Sequence, residues 1–270
     1  MPELRLAVAG LGAIGLGVAR RVAAGAIPGL RLAAVAARDA ERARRTMAAL
    51  GASLPVLPLA TLAEAAEVIV ECLPAKHFLE VAEPAIAAGR IFMPLSVGAL
   101  IDHMALVDRA RVTGARILVP TGALLGLDAV RAAAEGSIRE VTILTRKPPA
   151  SLAGAPLIVA RGLALEELRE PMRIFAGTAR EAIAGFPANV NVAVALALAG
   201  IGPDRTRVEV WADPSVRRNT HTVRLTSDAA DLTMTIENVP SQENPRTGRI
   251  TALSALTALR RLTAPLVVGS

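Results

Sequence analysis

Gly10-Leu11-Gly12-Ala13-Ile14-Gly15 follows the apolar run Leu4–Ala9 and opens an Ala-rich stretch over residues 13–24. That order predicts a strand, a tight turn and a helix. The glycines have G-x-G-x-x-G spacing, and each has its own physical reason. Gly10 permits the turn out of the strand. Gly12 lets the backbone approach a pyrophosphate. Gly15 lets the helix pack close to the strand. Unpaired N–H groups at the helix start, around Ala13 and Ile14, then receive the phosphates. We read the segment as a dinucleotide-binding turn. A purely structural turn is the competing reading, and the second strand that follows disfavours it.

Outward from this turn, short apolar runs keep alternating with amphipathic segments. Strands are expected over residues 30–37, 67–72, 91–95 and 116–119. Helices are expected over 39–50, 76–88 and 99–113, with Asp39 as an N-cap and Gly89 as a stop. Strand–helix alternation implies parallel βαβ units, hence a Rossmann-type doubly wound parallel sheet. After Pro120 the pattern becomes α+β. Helices are expected over 123–134, 187–199 (Pro187 first, Gly200 just past the end) and 247–262, the last with Ile250, Leu253, Leu256 and Leu259 along one side. Strands are expected over 137–145, 207–212, 220–226 and 231–237. The last three follow one another closely, which suits a largely antiparallel sheet.

The position that chooses the coenzyme lies about 20 residues beyond the glycines. It reads Ala36-Ala37-Arg38-Asp39. Arg38 can stack on adenine or hold a 2′-phosphate, and a solvated loop charge is the alternative. Asp39 can serve a ribose hydroxyl or merely cap its helix. Use of NAD or NADP is expected, with the preference open. The lone cysteine, Cys72, excludes an intrachain disulfide and a multi-Cys metal site. No metal site is expected, and a reducing cytoplasm fits. A thioester-forming nucleophile would need an activated thiol; a buried or coenzyme-lining thiol suits a strand end better.

Composition excludes other classes. Aromatics are 2% of the chain and Tyr is absent, so base-stacking platforms and Tyr proton relays are missing. The net charge of +6 is spread over arginines interleaved with Asp and Glu, which describes solvated helix faces, not a nucleic-acid surface. Residues 6–19 are uncharged but glycine-patterned, so they read as strand, turn and helix instead of a leader segment. No transmembrane span is expected.

Of the three histidines, His77 and His103 read as helix-surface residues. His221 lies in Arg218-Asn219-Thr220-His221-Thr222-Val223, entering a strand. Asn219 and His221 are two apart and share a face. A histidine titrating near neutrality can act as a general base, with Asn219 orienting it; a satisfied structural histidine is the alternative.

Several segments in the second half are distinctive together. They are Leu95-Ser96-Val97-Gly98-Ala99-Leu100, Pro120-Thr121-Gly122-Ala123, Gly126-Leu127-Asp128-Ala129 and Thr145-Arg146-Lys147-Pro148-Pro149. With them go Phe186-Pro187-Ala188-Asn189-Val190-Asn191-Val192-Ala193, Asp213-Pro214 followed by Asn219-Thr220-His221, and Glu237-Asn238-Val239-Pro240-Ser241 with Asn244-Pro245. In this order, along essentially the whole chain, they resemble the L-aspartate dehydrogenase family. The resemblance implies oxidative deamination of L-aspartate with NAD or NADP. The product would be iminoaspartate, which feeds NAD biosynthesis or hydrolyses to oxaloacetate and ammonia. It places the catalytic histidine on His221 and nicotinamide-side binding positions on Ala123 and Asn189. It implies a homodimer, and a last helix that returns to the coenzyme domain. Residues 1–120 with 246–270 would then form the dinucleotide-binding domain, and 121–245 the catalytic and dimerisation domain. Thr121 stands where the family's pattern has Ser and keeps the hydroxyl.

A substrate with two carboxylates requires cations. Arg146, Lys147, Arg217, Arg218 and Arg246 are the candidates, with Ser241, Asn244 and Thr247 as hydrogen-bond donors. Three other functions compete: a Rossmann reductase for another amino acid or sugar, a nucleotide sensor without turnover, and a nucleic-acid binder suggested by charge alone.

Overall fold

The computed structural model describes residues 3–187, 190–241 and 247–269. Contacts divide the chain into two compact units, Met1–Pro120 with Ala252–Val267, and Thr121–Thr251 with Val268–Ser270. The chain therefore re-enters the first unit at Ala252, inside the last helix, instead of at residue 246.

The first unit holds β1 (Leu4–Ala9), α1 (Ala13–Ala23), β2 (Leu30–Ala36), α2 (Ala40–Ala49), α3 (Leu62–Ala65), β3 (Val68–Glu71), α4 (Phe78–Ala87), β4 (Ile91–Pro94), α5 (Val97–Ile101), α6 (Ala105–Thr113) and β5 (Arg116–Ile117). Its five strands are ordered β2-β1-β3-β4-β5, and every pairing is parallel. Beyond β2, a single parallel bridge from Val35 to Val56 stands where a further strand of this fold would lie. The order reverses between β1 and β3, so the carboxyl ends of those strands flank the switch point at which doubly wound sheets bind ligands. The strands are apolar on both faces because helices cover both. Leu6, Val8, Leu32, Val68 and Val70 pack with Val18 and Val22 of α1 in one core.

The second unit holds α7 (Leu127–Ala134), β6 (Ile138–Lys147), α8 (Pro156–Ala160), β7 (Met172–Thr178), α9 (Ala179–Gly185), α10 (Asn191–Ala199), β8 (Arg207–Ala212), β9 (Thr220–Ser227) and β10 (Asp231–Glu237). Helix α11 (Arg249–Arg260) follows, and from Ala252 belongs to the first unit. Its Ala255 and Leu259 join the first unit's core. The sheet order is β10-β9-β6-β8-β7, antiparallel except for β6 with β8. Burial alternates along β6, β8 and β9, so one face carries Val141, Ile143, Val208, Val210, Val223 and Leu225 inward. Polar residues, Leu144 and Trp211 lie on the other face.

Several elements depart from the sequence expectations. The helix expected over 99–113 is two, broken at Asp102–Met104. The helix expected from Ala123 begins at Leu127, because Gly122 and Gly126 adopt left-handed φ values of 65° and 67°. A side chain at Gly126 would overlap Met234 Sδ at 2.1 Å. Pro187 does not open a helix; α10 starts at Asn191 after Val190. Strand β8 is not beside β9, since β6 lies between them. In α11 the buried side runs through Ala255 and Leu259, while Ile250 and Leu253 are exposed. Elements β7 and α9 were not anticipated; Met172-Arg173-Ile174-Phe175 carries charge and an exposed edge that blur its alternation.

Candidate active site

In the first unit the site starts with backbone geometry. Gly10 has φ 94°, and a Cβ there would lie 2.7 Å from the Cys72 carbonyl oxygen. A Cβ on Gly15 would lie 1.9 Å from the Gly10 carbonyl oxygen. These two glycines are demanded by the fold itself. Gly12 differs: it is the N-cap of α1, and nothing lies within 4 Å of its missing Cβ. The space beside it is open, no side chain caps the helix, and its first turn holds no acidic residue. An uncapped helix start free of negative charge favours an anion. The residues therefore fit a dinucleotide pyrophosphate over Gly12, Ala13 and Ile14.

Past the end of β2, Arg38 is exposed. The Asp39 carboxylate accepts the Arg42 backbone N–H at 2.9 Å and caps α2. Asp39 is thus engaged as a cap, and Arg38 is the side chain available at the coenzyme-choosing position. Cys72 ends β3. Desolvation, reinforced by the Glu71 charge, pushes its thiol well above the ordinary range, which suits a packed group and not a nucleophile.

Glu71 was not singled out by the sequence patterns. It is fully buried at the carboxyl end of β3. Its carboxylate accepts the Leu73 N–H at 2.6 Å, the Ser96 N–H at 3.2 Å and the Ser96 hydroxyl at 2.5 Å. One side chain thereby joins the turn after β3 to the turn after β4. Burial raises its pKa, although the donors oppose the rise. The only hint in the sequence is an acidic residue closing the run Val68-Ile69-Val70.

In the second unit, His221 occupies the inward face of β9 and is 2% exposed. It is paired in register with Thr145 of β6, whose Oγ1 lies 3.0 Å from His221 Nδ1. The imidazole is thus partnered by Thr145; Asn219, the expected orienting residue, lies one residue before β9. Lys147, two residues beyond Thr145 on the same face, is 4% exposed. Burial lowers its pKa to about 8. Burial and then the Lys147 charge push His221 down to about 3.

Asn219 and Ala123 are brought together through a third residue. Asn238, buried at the end of β10, donates its backbone N–H to the Asn219 carbonyl at 2.8 Å and its Nδ2 to the Ala123 carbonyl at 3.1 Å. Ala123 sits in a turn in which the Leu124 N–H bonds the Thr121 carbonyl, not in a helix. Asn189, Asn244 and Arg246 lie outside the described residues. Among the described residues, no cluster of His, Cys, Asp or Glu could hold a metal ion. Nor is any helix long and apolar enough to cross a membrane.

Comparison with known proteins identifies the family. The family described as "Aspartate dehydrogenase, C-terminal" matches residues 128–262, and "Homoserine dehydrogenase, NAD binding domain" matches 10–120. The chain is 53% identical to L-aspartate dehydrogenase 3 of Bordetella bronchiseptica, over 99% of this chain and 98% of that one. It is 42% identical to the L-aspartate dehydrogenase of Methanocella arvoryzae, over 98% and 99%. The crystal structure of aspartate dehydrogenase from Thermotoga maritima superposes with a TM-score of 0.76 at 23% identity, covering 99% of this chain and all of that one, and so shares the fold. A family model over residues 128–262 and L-aspartate dehydrogenases 53% and 42% identical over nearly the whole of both chains show that the chain belongs to the L-aspartate dehydrogenase family.

Proposed function

We propose that this chain catalyses the NAD(P)-dependent oxidative deamination of L-aspartate to iminoaspartate, which hydrolyses to oxaloacetate and ammonia or enters NAD biosynthesis. The observation that carries the reading is His221, buried and held through Nδ1 by Thr145. With Nδ1–H donating to Thr145 Oγ1, Nε2 carries the lone pair that accepts a proton. The substrate amine must lose its proton before its lone pair can assist departure of the Cα hydride. His221 takes a proton from that amine, or from the water that later attacks the imine, and Asn219 helps position it. NAD(P)⁺, when bound, supplies the hydride acceptor. Gly10, Gly12, Ala13, Ile14 and Gly15 hold its pyrophosphate, Arg38 its adenosine end, and Ala123 and Asn189 its nicotinamide end.

General acid–base residues contribute roughly 10²–10⁴-fold to rate. His221→Ala is expected to lose turnover by at least that factor while binding NADH normally. Turnover near that of the parent protein would remove His221 from the chemistry.

The reading extends to a cytoplasmic homodimer whose domains divide at residues 120/121 and 251/252. The family resemblance supports the dimer, as do half-buried Leu144 and Trp211 on the outer sheet face. A reducing compartment suits the single packed thiol. Light scattering at micromolar concentration tests the dimer, with a monomer mass as the contrary result.

A further inference from the structure

We propose that Asn238 is a positioning residue, whose side-chain amide fixes the turn at Ala123 relative to the strand of His221 and so sets the hydride acceptor against the proton acceptor. The inference rests on the proposed reading in which Ala123 meets the nicotinamide end of the coenzyme and His221 takes the proton. Asn238 and every residue it ties together belong to the second unit.

The strand sets one end of this link. His221 of β9 pairs with Ile236 of β10, so their side chains share the inner face. Two residues further along, the ladder continues past both strand ends, where the Asn238 N–H donates to the Asn219 carbonyl at 2.8 Å. Alternation turns Asn238 to the same inner face as His221, in keeping with its 3% exposure. Strand β9 is paired with β10 on one edge and β6 on the other, so two ladders set the spacing of Asn238 from His221.

The turn sets the other end. It carries two left-handed glycines, Gly122 and Gly126, and inside it the Leu124 N–H bonds the Thr121 carbonyl at 3.2 Å. Asn238 Nδ2 donates to the Ala123 carbonyl at 3.1 Å, across 115 positions of sequence. Because the peptide group is planar, holding that carbonyl fixes the direction in which the chain leaves Ala123.

The amide is itself held. After Asn238 the chain doubles back: the Val239 carbonyl accepts the Arg249 N–H at 2.8 Å, the Ser241 N–H donates to the Thr247 carbonyl at 2.8 Å, and Pro240 bridges Gly248 antiparallel. This return lays Gly248 against the amide. A Cβ at position 248 would stand 2.8 Å from Asn238 Oδ1 and 3.2 Å from its Cγ. A side chain there would push the amide away from the position in which Nδ2 reaches Ala123. One amide thus meets three segments distant in sequence, at 123, 219 and 248. Supporting residues locked by packing in this way hold reacting groups to within about 0.5 Å.

The test uses the whole protein. Single-turnover stopped flow with L-aspartate and NAD⁺ gives an amplitude that counts active sites and a rate that reports hydride transfer. Emission of the nicotinamide on NADH binding reports that end of the coenzyme, and ADP-ribose, which lacks the nicotinamide, reports the other. Misplacing reacting groups by about 1 Å costs on the order of 10²-fold in rate. Asn238→Ala is therefore expected to slow hydride transfer by roughly 10- to 100-fold at unchanged amplitude, to alter the emission of bound NADH, and to bind ADP-ribose as the parent does. Gly248→Ala keeps the amide but displaces it, and should do the same to a smaller degree. The two losses should not add, since both act through one amide. Should Asn238→Ala fail to fold, Gly248→Ala gives the same readings. A purely structural asparagine would lower the amplitude and the melting temperature and leave the rate alone. That result, an unaltered emission, or fully additive losses overturns the proposal. Absence of aspartate turnover in the parent protein would overturn the functional reading instead, and NADH emission in parent and variants would still decide the role of Asn238.

Discussion

At the scale of the residue, two glycines of one motif do different work. Gly15 has the Gly10 carbonyl 1.9 Å from where a Cβ would stand, whereas Gly12 has open space. Gly15→Ala must therefore push backbone against backbone, and a loss of several kcal/mol is expected on the scale of overpacking, roughly 1–3 kcal/mol or more. Gly12→Ala should leave the melting temperature of the coenzyme-free protein unchanged but remove the stabilisation that added NADH confers. Thermal melting with and without NADH checks both; equal destabilisation of the free proteins would contradict the assignment. The residue scale also shows what patterns hide. The glycines announce themselves by spacing, and His221 by rarity. Glu71, Thr145 and Asn238 do not, because each is a common residue type whose importance comes from partners 25, 76 and 115 positions away. Asn219 was read as the partner of His221 from strand periodicity, yet cross-strand register supplies Thr145.

At the scale of the element, the parallel half was legible because its buried strands are short, mostly apolar runs that alternate with amphipathic helices. Asp39 and Gly89 mark boundaries where the structure also has them. The second half was harder. Short polar-edged β7 and α10, apolar throughout after Asn191, carry weak periodicity, and two left-handed glycines moved the start of α7. No local pattern reveals that β6 separates β8 from β9, since that adjacency is set by sheet order. The joint between β3 and β4 gives a prediction at this scale. Ser96→Ala removes the hydroxyl that donates to buried Glu71. An underserved buried carboxylate costs about 1–3 kcal/mol. The folded-state pKa of Glu71 is already raised by burial, and losing a donor raises it further. A raised carboxylate pKa penalises the folded state above the unfolded pKa, so the extra loss in the variant is largest above the raised folded-state pKa of Glu71 and shrinks as pH falls through it towards the ordinary carboxylate range. Denaturant melts of Ser96→Ala at pH 7 and pH 4 check this; a loss independent of pH would mean the hydroxyl does not act through the carboxylate.

At the scale of the whole molecule, the fold divides labour between two units that are discontinuous in sequence. The first is a coenzyme-binding sheet of a kind shared by many enzymes. The second supplies the inner sheet face with His221, Thr145 and Lys147. A fold alone assigns no substrate, and the glycine turn alone assigns only a dinucleotide. The assignment rests on the second unit's residues and on full-length relatives. The central claim is that these parts oxidise L-aspartate. The most direct measurement is the formation of NADH and NADPH by the purified protein at mildly alkaline pH, with L-aspartate against a panel of other amino acids. The account predicts reduction of both coenzymes, dependent on L-aspartate and far slower with L-alanine or D-aspartate. Coenzyme binding without aspartate-dependent reduction, or a faster reaction with another amino acid, would contradict it.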